Sequence, residues 1–542
     1  MSRSRPLTGA ASGGIAVVAV VAALTAAAFV PLIGHARTGA PLLDFLMAPY
    51  TLRITRFTLL QAGLSTLLSV GFAIPLARAL AHQPQFMLRG TLLRLMALPL
   101  GLPALVGVLG IVEVFGQRGW VNGLLAAIGL DSRLEIYGLT GILLAHVFFN
   151  MPLAARMVLS GLEAIPYESE RLSAQLGFTP AQHWRHVEWP AVRQVLPGTL
   201  LLVFILCAAS FTIVLTLGGG PSATTLEVAI YQALRFDFDP GQAVVLALLQ
   251  LLLCASCYLL LGRLGTDVDP GMTLGARAQP GSRGSGRRTG DWLLIAMAGA
   301  FIALPLVAIV ISGLQAPLAS LLAQPAVWQA ASTSLAVALA ATALAMAAAW
   351  LLAAARRDTL RMRDPPRWRR ALDKVGGLVA GLTLAMPPIV LGAGWFVLAL
   401  GFEGPFSIAP AAVVAGNALL ALPFAVRIIE PAMLGHAQAY DRLVLSLGIK
   451  GLTRFRLIDW PVLGRPAGLA AALAMAMSLG DLGIITLFGS EDFLTLPYLL
   501  LQRMGTYRTT DAAGLALILG GLCLSLIWTA EWMARPARRS TP

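Results

Sequence analysis

Residues 171–192 read RLSAQLGFTPAQHWRHVEWPAV, and residues 442–463 read RLVLSLGIKGLTRFRLIDWPVL. The offset between them is 442 − 171 = 271 residues. Leu176-Gly177 falls on Leu447-Gly448, and Trp189-Pro190 falls on Trp460-Pro461. The same offset carries Pro152 and Arg156 onto Pro423 and Arg427, and Gly218 onto Gly489. After one deleted residue, Thr225-Leu226 matches Thr495-Leu496 and Gln232 matches Gln502. Self-similarity at one long offset marks a tandem duplication.

Working outward, each copy is flanked by long apolar runs. These fall near residues 14–34, 57–80, 92–115, 137–158, 198–217, 241–262, 292–313, 330–355, 376–400, 409–428, 468–488 and 512–532. Runs of about 20 apolar residues match a bilayer's hydrocarbon, and a backbone there must bond to itself, so each is expected to be a helix. Composition agrees: 57% of the 542 residues are hydrophobic, 12% are charged, and mean hydropathy is +0.78. A water-soluble domain carries about 25% charged residues to cover its core. The expected fold is an all-α integral membrane protein of about 12 transmembrane helices in two parallel repeats of about six. An even number of spans returns the chain to its starting side, which makes the repeats parallel.

The stretch 265–291, GTDVDPGMTLGARAQPGSRGSGRRTGD, is rich in Gly, Ser, Pro and Arg and reads as a flexible linker. It divides the chain into a first half, 1–264, and a second half, 292–542. The net charge of +13 is not a nucleic-acid footprint, because the arginines lie between apolar runs. With the N-terminus in the cytoplasm, about 31 of the 39 basic residues fall on the inner side. That count puts both termini and the linker in the cytoplasm. The first run is too long for the core of a signal peptide and is expected to remain as the first span. Cys254 and Cys257 form a lone C-x-x-C inside an apolar run and read as small packing residues rather than metal ligands.

The repeated motif lies in loops 159–197 and 430–467, between the fourth and fifth spans of each half. Both loops are inner and far longer than a compact bundle needs. Each reads as two short surface helices, bent at Gly177 or Gly448 and stopped by Pro190 or Pro461. Two matched cytoplasmic handles suit a machine driven by two matched motors.

These segments resemble the EAA loops of ABC importer permeases, from Leu176-Gly177 to Trp189-Pro190 and from Leu447-Gly448 to Trp460-Pro461. The resemblance implies a type I importer permease fold whose loops dock on two copies of a cytoplasmic ABC ATPase. It also implies a bacterial inner-membrane location and a periplasmic binding protein that delivers substrate. Where the family often has Glu six residues before the Gly, this chain has Arg171 and Arg442; Glu168, Glu170 and Asp441 are near enough to substitute. The fused two-half form is similar to the permeases of thiamine and ferric-iron importers. SFTIVLTLGGGPSATTLEVAIYQALRFDFDP and SLGDLGIITLFG favour the thiamine group, with thiamine or its phosphates as cargo.

The chain has no G-x-x-x-x-G-K-[ST] loop, so ATP is expected to be used by the partner, with no cofactor, metal or catalytic group in this chain. Polar residues within spans are pathway candidates by default: Asn150, Ser210, Thr212, Asn417 and Asp481. Asp481 falls on Ser210 in the repeat, and a structural or gating role is expected for it. The outer segments Gly218–Pro240 and Gly489–Asp511 also repeat and fit short surface helices where a binding protein docks. A secondary carrier of the major-facilitator type shares the helix number. It lacks these long inner loops after the fourth and tenth spans.

Overall fold

The computed structural model describes residues 9–36, 45, 47–130, 133–263, 288–362, 364–383, 386–401, 404–449, 451–506 and 508–533. The linker up to residue 287 and the chain ends lie outside the described residues. Every regular element among the described residues is helical. Among the described residues eleven helices are long and apolar enough to cross a membrane, and the apolar helix Pro388–Leu400 is a shorter twelfth.

The first half runs through α1 (Gly9–Ala36), α2 (Pro49–His82), α3 (Ala104–Phe115) and α4 (Leu139–Glu163). It continues through α5 (Tyr167–Gln175), α6 (Trp189–Ala208), α7 (Phe211–Leu217), α8 (Leu226–Arg235) and α9 (Pro240–Arg263). The second half runs through α10 (Arg288–Gln315), α11 (Pro325–Leu360), α12 (Arg367–Leu382), α13 (Pro388–Leu400) and α14 (Ala409–Ser446). It ends with α15 (Trp460–Gly480), α16 (Gly483–Phe488), α17 (Leu496–Gly505) and α18 (Thr509–Met533).

Three departures from the expected spans share one cause. The run 376–400 is divided between α12 and α13, and the run 92–115 is cut into short pieces before α3. Pro387 and Pro103 stand at these breaks with extended ψ values of 141° and 132°. Proline donates no hydrogen bond, and it pushes the preceding residue out of helical geometry. The third departure is in α14, which runs unbroken for 38 residues where the first half stops α4 and restarts after Pro166. The repeat offset puts Ala437 at the place of Pro166, so that break has no counterpart in the second copy, which carries Pro423 and Pro431 within its helix. Pro190 and Pro461 do not stop helices as expected. Each sits in the first turn of a span, separated by one residue from a π-helical turn, and its fixed φ fits the helix it enters.

Contacts group the chain into two compact units that do not follow the order of its halves. One unit holds residues 43–229 and 252–316, and within it α10 packs on α2 and α3. Gly110 of α3 lies so close to the Pro305 carbonyl of α10 that a Cβ has no room, and Phe301 of α10 meets Phe115 at 6.4 Å. The other unit holds residues 1–42, 230–251 and 317–542, and within it α1 packs on α11 and α13. Gly394 of α13 presses on the Ala28 carbonyl of α1 in the same way, and Trp395 Nε1 donates to the Leu24 carbonyl at 3.1 Å. Each unit therefore takes one outer helix from the other half. Lipid offers no hydrophobic drive for helix pairing, so association depends on close approach of this kind at small residues.

Replacing Gly394 with Leu is expected to force α1 off α13. Overpacking of a close contact costs about 1–3 kcal/mol. The purified variant should unfold at lower temperature in detergent, while Gly505→Leu, at an open position, should not.

Candidate coupling surface and transport pathway

The first loop is built from local signals. Pro166 precedes α5, and Glu168 and Glu170 lie in its first turn, where the helix dipole favours them. Gly177 ends α5 with φ +66°, and bonds from Gly177 N to the Ala174 carbonyl and from Phe178 N to the Ser173 carbonyl close a Schellman turn. Thr179 and Gln182 then form a capping box that starts the short helix Pro180–His183. A π-helical turn, Trp184–Glu188, leads directly into α6. The second loop repeats this plan. Gly448 has φ +65°, Ile449 N bonds the Val444 carbonyl, and a π-helical turn, Phe455–Asp459, leads into α15. Nothing lies within 4 Å of a Cβ built on either glycine, so the backbone angle alone demands glycine there.

The two loops carry matched apolar residues in the open. Leu176 and Leu447 are each 62% exposed, and Leu172 and Leu443, one turn earlier, are 56% and 55% exposed. Gly177, Gly448, Arg171, Pro190, Trp460 and Pro461 are exposed, and Trp189 is half-buried. For Arg442 only the backbone is described. Exposed leucines at the same repeat positions of both loops are a surface waiting for a protein partner.

Beneath each surface lies an ion cluster that motif reading missed. Glu188 is 2% exposed, and its Oε2 accepts a hydrogen bond from Arg78 Nε at 2.8 Å, with a terminal nitrogen of the same guanidinium 2.7 Å from that oxygen. His82 Nε2 lies 2.8 Å from its other oxygen, and His82 Nδ1 lies 3.3 Å from Asp291. The Arg78 guanidinium also stacks on the Trp184 ring at 4.0 Å. In the second loop Asp459 is held by Arg454 at 3.3 Å and Arg357 at 3.9 Å, with His436 at 3.6 Å. Asp441 bonds Arg357, Arg361 and Arg454, so it is engaged inside the chain rather than presented to a partner in place of the missing family Glu. Glu188 and Asp459 are related by 459 − 188 = 271. The repeat offset therefore marked an acid directly before each Trp-Pro, which was the available signal. Ring pairs follow the same symmetry, with Trp184–Trp189 at 5.6 Å and Phe455–Trp460 at 5.7 Å.

The candidate pathway residues gather at the interface of the fourth and fifth spans and at breaks in the fifth. Asn150 of α4 donates to Cys207 Sγ of α6 at 3.4 Å. Asn417 of α14 donates to Ser478 Oγ of α15 at 2.8 Å, and Ser478 is the repeat partner of Cys207. Ser210 sits with extended ψ between α6 and α7, and Thr212 is in the first turn of α7. Asp481 sits at the equivalent break between α15 and α16. Its Oδ1 accepts from Gly483 N at 3.2 Å, while its buried Oδ2 has no hydrogen-bond partner. A helix broken at membrane depth is tolerated where protein or a water-filled cavity surrounds it, and such breaks are where transporters handle cargo.

Comparison with known proteins decides the family. Residues 73–269 match the model of the binding-protein-dependent transport system inner membrane component. The thiamine transport system permease protein ThiP of Brucella abortus (strain 2308) is 48% identical over 533 residues, covering 98% of this chain and 96% of that protein. The chain belongs to the ThiP family of binding-protein-dependent permeases. ThiP of Escherichia coli (strain K12) is 42% identical over 521 residues, covering 96% of this chain and 95% of its own. The molybdenum transport system permease protein ModB of Mycobacterium bovis is 29% identical over 216 residues, which are 38% of this chain and 78% of that protein. The permease is thus a multi-pass inner-membrane transport subunit and not an enzyme, and it works with a binding protein and an ATPase.

Two predictions follow the geometry of the loops. Gly177→Val and Gly448→Val should each leave the spans inserted, because only an exposed positive-φ residue changes, at a cost of about 1–2 kcal/mol to the local turn. ATP-driven uptake in liposomes should fall for both, with Gly448→Val the milder, since Pro180 and the capping box stiffen only the first bend. Glu188→Gln should retain shape but lose the charge that gathers Arg78 and His82, a loss of about 1.5–3 kcal/mol for a charge-assisted contact. Its signature should be ATP hydrolysis with reduced uptake per ATP, and normal uptake per ATP would count against a role in coupling.

Proposed function

We propose that this permease is the membrane subunit of an ATP-driven importer for thiamine or its phosphates, with both termini cytoplasmic. The observation that carries the coupling part is the pair of matched loops. Each presents two exposed leucines, a positive-φ glycine and a π-helical turn, at positions related by the repeat. Two copies of one ATPase would each find the same handle. Leu172, Leu176, Leu443 and Leu447 would seat in the ATPase, with Arg171 and the backbone position of Arg442 in the same loops. Because each π-helical turn runs without interruption into α6 or α15, a push on the loop would be carried into the span that holds Ser210 or Asp481. Substrate would arrive from the binding protein at the opposite face, near α8 and α17.

Thiamine as cargo rests on likeness over nearly the whole chain to proteins named for thiamine transport. Asn150, Ser210, Thr212, Asn417 and Asp481 would line or frame the route. Asp481 would act chiefly as the cap that holds α16 at the break, since its Oδ1 already bonds the Gly483 amide.

A strain unable to make thiamine tests the cargo. Deleting the gene for this chain should raise its external thiamine requirement, because an import route is lost. Restoring the chain should restore uptake of labelled thiamine. Unchanged thiamine uptake with reduced ferric-iron uptake would assign the cargo to iron instead.

A further inference from the structure

The duplication explains most paired features of the chain, so an unpaired contact between the two sequence halves invites a separate explanation. Arg235, the last residue of α8, makes one. It is the only basic residue between 218 and 240. Its terminal nitrogen donates to the Tyr498 hydroxyl at 3.2 Å and to the Gly489 carbonyl at 3.4 Å. The ring of Phe406 lies 5.8 Å from the guanidinium carbon. All of these residues belong to one compact unit.

The second half is shaped to receive this cation. A Cβ on Gly489 would lie 2.8 Å from Cε1 and 2.9 Å from Cζ of Tyr498, so the tyrosine ring rests on bare backbone. That packing places a phenol oxygen and a peptide carbonyl where one guanidinium reaches both. The acceptors are neutral, and the Tyr231 hydroxyl of the same helix also bonds the Arg235 side chain. Such a clamp is weaker than a desolvated ion pair and can open within a transport cycle. The repeat offers no second copy. The offset of 270 puts Gly505 at the place of Arg235 and Val228 at the place of Tyr498, and neither can make the bond. Just beyond the clamp, Phe238 has φ +50°, the one non-glycine residue with positive φ among the described residues, and its ring is exposed. Strain of that kind persists where a structure switches between states.

We propose that Arg235 is the latch of the outer gate. Its guanidinium ties the outer end of the first half to Gly489 and Tyr498 of the second, and substrate enters only when docking of the loaded binding protein breaks this tie. The inference rests on the orientation proposed above, in which residues 218–240 and 489–511 face the periplasm.

The test uses the permease assembled with its ATPase and binding protein in liposomes. Arg235→Ala should raise ATP hydrolysis in the absence of binding protein by about tenfold, the effect of losing one charge-assisted clamp on a closed–open equilibrium. Substrate moved per ATP should fall. Arg235→Lys, which reaches one acceptor but not both, should lie between. A residue of merely structural importance would instead lower hydrolysis and uptake together, and that result would overturn the latch. A second variant does not depend on stability without the clamp. Arg235→Cys with Tyr498→Cys, bridged by a short cleavable thiol reagent in a background without the native cysteines, should lose uptake and regain it on cleavage. Full uptake by the bridged protein would overturn the latch whatever the orientation. Asp237→Cys should react with a membrane-impermeant maleimide from outside. Reaction only from the cytoplasmic side would overturn the orientation, and with it the outer placement of the gate, while leaving the clamp itself to the bridging result.

Discussion

A peptide group in hydrocarbon has no water to bond, and leaving it unpaired costs several kcal/mol. That constraint organises the whole chain. It turns each apolar run into a helix, and it confines every interruption to places where protein surrounds the freed backbone. The interruptions are therefore informative. Pro103 and Pro387 break the third span of each half, and the Ser210 and Asp481 positions break the fifth. At one of them a side-chain carboxylate supplies what the lost helix bond cannot, with Asp481 Oδ1 accepting the Gly483 amide. Helices α8 and α17 are secured by the same economy of partners. The amide of Leu226 donates to Thr58 Oγ1 at 3.0 Å, and the amide of Leu496 donates to Ser334 Oγ at 2.8 Å, both buried.

Charge is gathered where the loops meet the helices and is used to fix the loops. Glu188 and Asp459 sit at the junction of loop and span; Glu188 is gripped by Arg78 and His82 of the second span, and Asp459 lies among Arg454, His436 and Arg357. A buried acid with several basic partners is costly to break. The junction is therefore stiff, while the leucine surface above it is open. Stiff junction and open surface together are what a lever needs if a motor is to move a membrane helix. The π-helical turns serve the same end, because they carry helical backbone without a break from the loop into the span.

The exchange of outer helices adds a second constraint. Gly110 against Pro305 and Gly394 against Ala28 bring backbones to direct contact in each unit. Without a hydrophobic drive between helices in lipid, such contacts supply the dispersion energy that holds them. An outer helix held this way by the opposite half links the halves through packing and not only through the linker.

The sequence by itself determined the class, the number of spans to within one, and the internal repeat, because hydropathy and a constant offset are one-dimensional signals. Gly177 and Gly448 were legible as bends, and both have positive φ. The acids before Trp-Pro were present at the same offset, but their importance was not legible. It depends on Arg78 and His82, or on Arg357 and Arg454, reaching them from distant positions. The breaks at Pro103 and Pro387 were lost within apolar runs, since a hydropathy average does not register one missing amide. Which helix packs on which was decided only by the tertiary structure. Pairing in lipid turns on close approach at single small residues such as Gly110 and Gly394, and in a chain with 54 glycines composition does not say which of them will meet a carbonyl.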